Sequence, residues 1–269
     1  MSNFITLLLK HPSKLLMNSR LVFTLIALGL VSVGKPVSGN TPDKAPEQLK
    51  NLITQIDTAA SKADVKGVMQ FYSPTFTHGD GLNRQTMEQA LSKFWKQYPK
   101  LRYRTILRSW KSEGNSIVAE TVTNITGFPS SNQENLGLNA RILSRQRFTG
   151  NKITNQEILS ERTEVTSGIK PPQLDIQLPK EVKVGQSYNF DAIVREPLGD
   201  NYLLGKAMEK PIEASQYLKS SPIDLEALRA GGLFKIGRAP NTPGNHWISA
   251  VIVRSNGMTI ITQRLRVVR

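Results

Sequence analysis

The chain has no cysteine among its 269 residues, which excludes disulfides, thiolate metal sites and a lipidated N-terminal cysteine. Histidine is scarce as well. Only three occur, and only His78 and His246 follow residue 39, too few for a transition-metal cluster. No block of five or more like charges is present, and the chain has neither a phosphate-binding loop, a dinucleotide fingerprint nor a Gly-x-Ser-x-Gly elbow. These gaps argue against phosphoryl, hydride and serine-acyl transfer, so no cofactor and no metal are expected. Nor is there an apolar run of the roughly 20 residues that a membrane-spanning helix needs.

What is there begins with Lys10, Lys14 and Arg20 running into the uncharged apolar stretch Leu21 to Val33, the pattern of an export signal. Val37-Ser38-Gly39 places small or short residues at the minus-three and minus-one positions, so cleavage is expected after Gly39, with Gly34 as the second choice. Left uncleaved, the segment would act as an anchor. Export to a periplasmic or extracellular compartment removes nucleotide cofactors and genomic DNA from the expected partners. Basic residues number 35 against 21 acidic, a net charge of +14. Without the four basic residues of the first 39 (Lys10, Lys14, Arg20 and Lys35) the charge is +10. That excess is spread along the chain. It suits solvated sheet faces, and among partners it would attract an anionic envelope surface.

Gly168-Ile169-Lys170-Pro171-Pro172 separates two alternating patterns, and paired prolines cannot continue a strand ladder. The expected organisation is a signal (1–39), a mobile lead (40–46), an α+β unit (47–166), a linker (167–172) and an all-β unit (173–269). In the first unit Leu49, Leu52, Ile53, Ile56, Ala59, Ala60 and Ala63 recur at helical spacing. Asp57 falls among the polar positions of that helix and is expected to face solvent. Asp64 caps a short second helix over Val65, Val68, Met69 and Tyr72, ended by Ser73-Pro74. A third helix runs from about Arg84 to Lys96, capped by Asn83. After Pro99 the period becomes two, and a four-stranded antiparallel meander follows with a turn at Gly150-Asn151. Alternation places Tyr103 on the opposite face from Arg102 and Arg104, so the basic stretch 95–111 is a charged outer face over a buried aromatic one. It does not form a nucleic-acid surface. Arg141, Arg145 and Arg147 are expected to pair with Glu157, Glu161 and Glu164 on the next strand.

Phe71-Tyr72-Ser73-Pro74-Thr75-Phe76, the Asp80-Gly81 turn, the helix ending Trp95-Lys96-Gln97-Tyr98-Pro99 and the closing Thr149-Gly150-Asn151-Lys152-Ile153 resemble the nuclear transport factor 2 superfamily. That group includes SnoaL-like polyketide cyclases and ketosteroid isomerase. The resemblance covers about 120 residues and implies an α+β cone whose sheet wraps the first helix around an apolar pocket, with Tyr72, Phe76, Phe94 and Tyr103 as its candidate lining. Relatives use such a pocket for catalysis or for binding, and others dimerise through the sheet, which makes a homodimer through the cone sheet one of the partners expected here. The carboxylate base and oxyanion set of ketosteroid isomerase has no residue-by-residue counterpart here. His78 and Asp80 are the candidate catalytic pair, the imidazole as base and the carboxylate orienting it. The alternative is that both are polar turn residues beside Gly79 and Gly81.

The second unit alternates at Leu174-Ile176-Leu178 and again at Tyr188-Phe190-Ala192-Val194, then at Trp247-Ser249-Val251-Val253 and Met258-Ile260-Thr262 around Asn256-Gly257. With Pro243-Gly244-Asn245-His246-Trp247 leading into a late strand it resembles an immunoglobulin-like sandwich. The middle, 208–230, is expected to be loop with one short helix, Ile223 to Arg229. The fold class expected is therefore an α+β cone plus a C-terminal all-β sandwich. The function expected is an exported, non-catalytic binding protein for a small apolar ligand or a partner segment. The alternatives are an isomerase, dehydratase or cyclase type of enzyme and an envelope-associated structural protein.

Overall fold

A computed structural model describes residues 39–127, 136–197, 202–219, 222–228 and 231–269. The expected signal, apart from Gly39, and the polar loop 129–135 lie outside the described residues.

Three α-helices form where the periodicity and caps placed them. Helix α1 spans Glu47–Ser61 and buries Leu49, Leu52, Ile53 and Ala60. Helix α2, Val65–Met69, is capped by Asp64, whose carboxylate accepts from Gly67 N. Helix α3, Arg84–Gln97, starts at a reciprocal cap in which Asn83 accepts from Thr86 N and Thr86 Oγ1 accepts from Asn83 N. Ser73-Pro74 does not simply stop a helix. The chain enters strand β1, Tyr72–His78, which pairs in parallel with β5, and no local signal announces a pairing with residues some eighty positions away.

The meander forms as expected: β2 (Leu101–Glu113), β3 (Ser116–Gly127), β4 (Gly137–Thr149) and β5 (Lys152–Gly168) lie side by side. Register shifts at Leu107/Ser109 in β2–β3 and at Leu143/Ser144 and Arg147/Phe148 in β4–β5 are bulges that bend the sheet.

The fold class expected from sequence is overturned beyond this point. The described residues are mostly strand, and among them no separate sandwich follows a cone. Strand β13, Gly257–Val268, pairs antiparallel with the second part of β5, Gly257 against Gly168 through Gln263 against Arg162. The second half therefore extends the sheet of the first. Among the described residues ten strands join in one sheet. Its main path runs from β10 (Glu226–Leu228) through β9 (Leu203–Pro211), β12 (Gly244–Arg254) and β13 to β5, β4, β3 and β2, while β1 hangs on β5 and β7 (Glu181–Lys183) on β13. The 17-residue β5 is long enough to carry β1 on its first part and β13 on its last. The end of strand β9 and strand β10 fall within the segment 208–230 expected as loop, and Glu226–Leu228 is extended where a helix over 223–229 was expected. Arg229 and Ala230 lie outside the described residues.

A second sheet of β6 (Leu174–Gln177), β8 (Ser187–Val194) and β11 (Gly232–Arg238) covers the other face of the large sheet at its β12–β13 end. Strands β12 and β13 are thus covered on both sides. Trp247, Val251, Val253 and Ile260 join the core beneath the helices, while Ile248, Ala250, Ile252, Ile261 and Leu265 join the core beneath the small sheet. Burial on both faces explains the nearly continuous apolar run Trp247–Val253.

Candidate functional site

Helices α1 and α3 lie over the inner face of β2–β5 and leave a cavity of about 150 Å³. Small side chains at Ala60 and Ala90 and the bulged sheet behind them account for the space. Its floor includes one row of residues paired across four strands: Thr105 with Thr123, Thr123 with Ile142, and Ile142 with Glu161. Three inter-strand steps make that row roughly 14 Å long. Apolar groups, among them Ile53, Ile56, Leu91 and Ile125, form most of the wall.

At the β5 end stands a buried charge cluster. Arg264, on the inward-facing side of β13, donates from Nη1 and Nη2 to the two oxygens of Asp80, both at 2.8 Å. It also donates from Nη2 at 2.6 Å and from Nε at 3.2 Å to Glu161 Oε2. Trp247 Nε1 donates to Glu161 Oε1, and Tyr217 OH donates to Asp80 Oδ2 at 2.6 Å. Tyr217 sits on a 3₁₀ turn, Ala214–Leu218, which Lys93 of α3 holds by donating to Leu218 O at 2.5 Å. Burial pushes the Asp80 carboxyl up, but Arg264, His78 and Tyr217 together outweigh it and hold the group below the usual carboxylate range. Burial wins at Glu161, which is raised despite Arg264.

His78 lines the cavity beside this cluster. Its Nδ1 accepts the backbone N–H of Asp80 at 3.1 Å and lies 3.7 Å from Asp80 Oδ2. With Nδ1 an acceptor, the neutral ring carries its proton on Nε2. Burial pushes the imidazole down to about 4, opposed by Asp80 and reinforced by Arg264. His78 therefore stands as a neutral hydrogen-bond donor, and Asp80 is engaged by Arg264 and Tyr217 in place of orienting the ring.

At the β2 end the structure corrects the expectation for Asp57. This carboxylate lines the cavity and is half-buried. Its oxygens accept from Thr105 N at 2.5 Å and from Thr105 Oγ1 at 2.6 Å. One turn on, Ser61 Oγ accepts from Tyr103 N at 2.9 Å. Strand β2 is the sheet's edge, and α1 lies along it; the polar stripe of the helix faces the unpaired N–H groups of that edge. Burial raises the Asp57 carboxyl, with the Thr105 bonds acting against it. Tyr103 OH accepts from Trp95 Nε1 at 2.9 Å, the two rings meeting edge-on with centroids 6.2 Å apart.

Of the residues singled out from sequence, Tyr72, Tyr103 and His78 reach the cavity. Phe76 and Phe94 are buried in the packed core and do not line it, and Asp80 sits behind the wall. Glu161 does not pair with a β4 arginine. Arg145 is held by Glu120 at 2.8 Å and Glu157 at 3.2 Å, and Arg147 by Glu113. Arg141 stands opposite Arg162. Sequence reasoning missed Glu161, Tyr217 and Arg264. One signal was available: Met258, Ile260 and Thr262 alternate inward, and continuing the alternation puts a charged Arg264 on the buried face.

A family model described as a domain of unknown function (DUF8623) matches residues 169–268, the stretch that holds Tyr217, Trp247 and Arg264. No curated protein matches the chain. Among solved structures the chain is similar to Bd1075 of Bdellovibrio bacteriovorus, at 13% identity and a TM-score of 0.34 over 42% of this chain and 40% of Bd1075. It is also similar to AclR of Streptomyces galilaeus, at 16% identity and 0.32 over 42% and 87%. An LEH-like epoxide hydrolase of M. tuberculosis follows at 11% identity and 0.30 over 42% and 84%. The chain spans well under half of Bd1075, and at these scores the likeness decides neither its fold nor its chemistry.

Removing Arg264 leaves two carboxylates buried without their cation. Arg264→Met is expected to lower stability to urea by about 3 to 5 kcal/mol near neutral pH, with a smaller gap in acid, where the carboxylates take up protons. Wild-type stability in the variant would show that the cluster does not hold the fold. His78 supplies a pH signature of opposite origin. The folded ring stays neutral down to about 4, whereas an unfolded histidine protonates near about 6.5. Its contribution is therefore whole above that pH and is lost on acidification, at up to about 1.4 kcal/mol per pH unit. His78→Asn, which keeps an acceptor for Asp80 N–H, is expected to flatten that slope in urea titrations across the range; an unchanged slope would place the proton uptake elsewhere.

Proposed function

We propose that this chain is an exported binding protein whose cavity takes one small molecule with a largely apolar body. The observation that carries this is the cavity itself: about 150 Å³, walled mainly by aliphatic side chains, with hydrogen-bonding groups at its two ends. Apolar cavities of about this size accept a benzene-sized guest, and drug-sized sites run several times larger. The volume thus favours a small molecule over a partner segment. The enzyme alternative built on His78 and Asp80 has less support, because the imidazole presents a donor and the carboxylate is already held by Arg264 and Tyr217.

Toluene and benzyl alcohol are suitable probes. Titration into the wild-type protein, followed by NMR, is expected to give saturable shifts at the Trp95 indole and the Ile53 and Ile142 methyls. Ala90→Phe, which fills the space, should abolish them while the thermal unfolding transition persists. No saturable shift with either probe would overturn the reading.

We propose further that the protein docks on an anionic envelope surface. Arg102, Arg104, Arg108 and Arg141 belong to the outer face of β2–β4 and have no acidic partner among the described residues, whereas Arg145, Arg147 and Lys111 are paired. A second copy docking through the same face would bring like charges together, so the occupant proposed is anionic. Protein expressed with its own leader should begin at Asn40 by intact mass and leave the envelope fraction as salt is raised. Retention of the leader, or release indifferent to salt, would count against this part.

A further inference from the structure

We infer that the cavity selects a small protonated amine, whose ammonium sits at the β2 end between Asp57 and the aromatic rings of Trp95 and Tyr103. This rests on the cavity being a ligand site and adds what that site prefers. Among the described residues two carboxylates, Asp57 and Glu161, line the space, and no lysine or arginine does. Arg264 lies behind the wall with both Asp80 and Glu161 upon it. One guanidinium shared by two carboxylates does not offset the charge of a third carboxylate at the far end of the row. An anionic ligand would enter against that field, and a cation would enter with it.

The β2 end has the parts an ammonium needs. Each Asp57 oxygen accepts one bond, from Thr105 N and from Thr105 Oγ1, and a carboxylate oxygen can accept two. Each therefore keeps one acceptor direction. The Trp95 indole and the Tyr72 and Tyr103 phenols line the same cavity. Tyr103 stands two residues from Thr105, the partner of Asp57, on the same inward face of β2. Its ring is fixed by the bond from Trp95 Nε1, and aromatic rings around a desolvated cation add attraction to that of the carboxylate.

Shielding the edge of β2 explains a polar group at position 57 but not a charge. The neighbouring edge donor, Tyr103 N–H, is met by the neutral hydroxyl of Ser61. A carboxylate at the next position exceeds what shielding requires, and burial makes that excess costly unless a cation joins it. Sheltered hydrogen bonds to a charged group are worth roughly ten- to a hundredfold in affinity, enough to separate an amine from a neutral molecule of the same shape.

The test compares toluene, benzyl alcohol, benzylamine and benzoate on the wild-type chain near neutral pH by NMR titration. Benzylamine is expected to bind tighter than benzyl alcohol by roughly tenfold or more, and benzoate weakest of the four. Asp57→Asn keeps an amide oxygen for Thr105 N–H and should bring benzylamine down to the level of benzyl alcohol while toluene is unaffected. Equal binding of toluene, alcohol and amine would overturn the amine preference and leave the cavity reading standing. Failure of all four to bind would overturn both. Amine selectivity that survives in Asp57→Asn would overturn the assignment to Asp57. Should that variant fail to fold in thermal unfolding, the wild-type order of the four probes decides the preference alone.

Discussion

One arginine ties the molecule together. Arg264 comes from the last strand, and the two carboxylates it holds come from the loop after β1 and from β5, 184 and 103 residues away in sequence. Removing three charged groups from water costs several kcal/mol for each ion before any attraction is counted. The arrangement is tolerable only when all partners are in place, and here Trp247 and Tyr217 supply the remaining donors to Glu161 and Asp80. The residues 169–269 therefore do not form an appendage. They furnish the cation, both supporting aromatic donors and the strand that extends the sheet.

The same cluster shapes the cavity. Asp80 does not line the cavity, and its backbone N–H fixes which nitrogen of His78 carries the proton. Glu161 and Tyr217 are brought to the wall at one end, while Asp57 is brought to the other by the unpaired edge of β2. The chemistry that results is one of hydrogen bonds and charge around an apolar volume. His78 and Asp80, paired from the sequence, are placed differently: the ring lines the cavity, and the carboxylate is held by Arg264 and Tyr217.

Much of the local structure was legible because its causes are local. The Asn83 cap, the apolar stripe of α1, the alternation in β2 and the turn at Gly150, whose φ is +56°, depend on residues within a few positions of one another. Asp57 was misplaced for a physical reason. Helical periodicity separates polar from apolar faces but does not say that the polar face will meet a sheet edge, where N–H groups seek acceptors just as water would offer them. Strand β1 was hidden by Pro74, which suggested only a stop, and β9 by a segment whose alternation is broken by Lys206 and Glu209.

The sequence by itself determined the helices, the meander and its bulk pattern of faces, the absence of thiol chemistry and the basic outer surface, because these follow from composition and from periods of two and 3.6. Only the tertiary structure decided that the second half extends the sheet of the first, since pairing β5 with β13 requires contact between residues about one hundred positions apart. It alone decided that Arg264 meets Asp80 and Glu161, because a buried charge can choose its partner only after the chain has brought the candidates together.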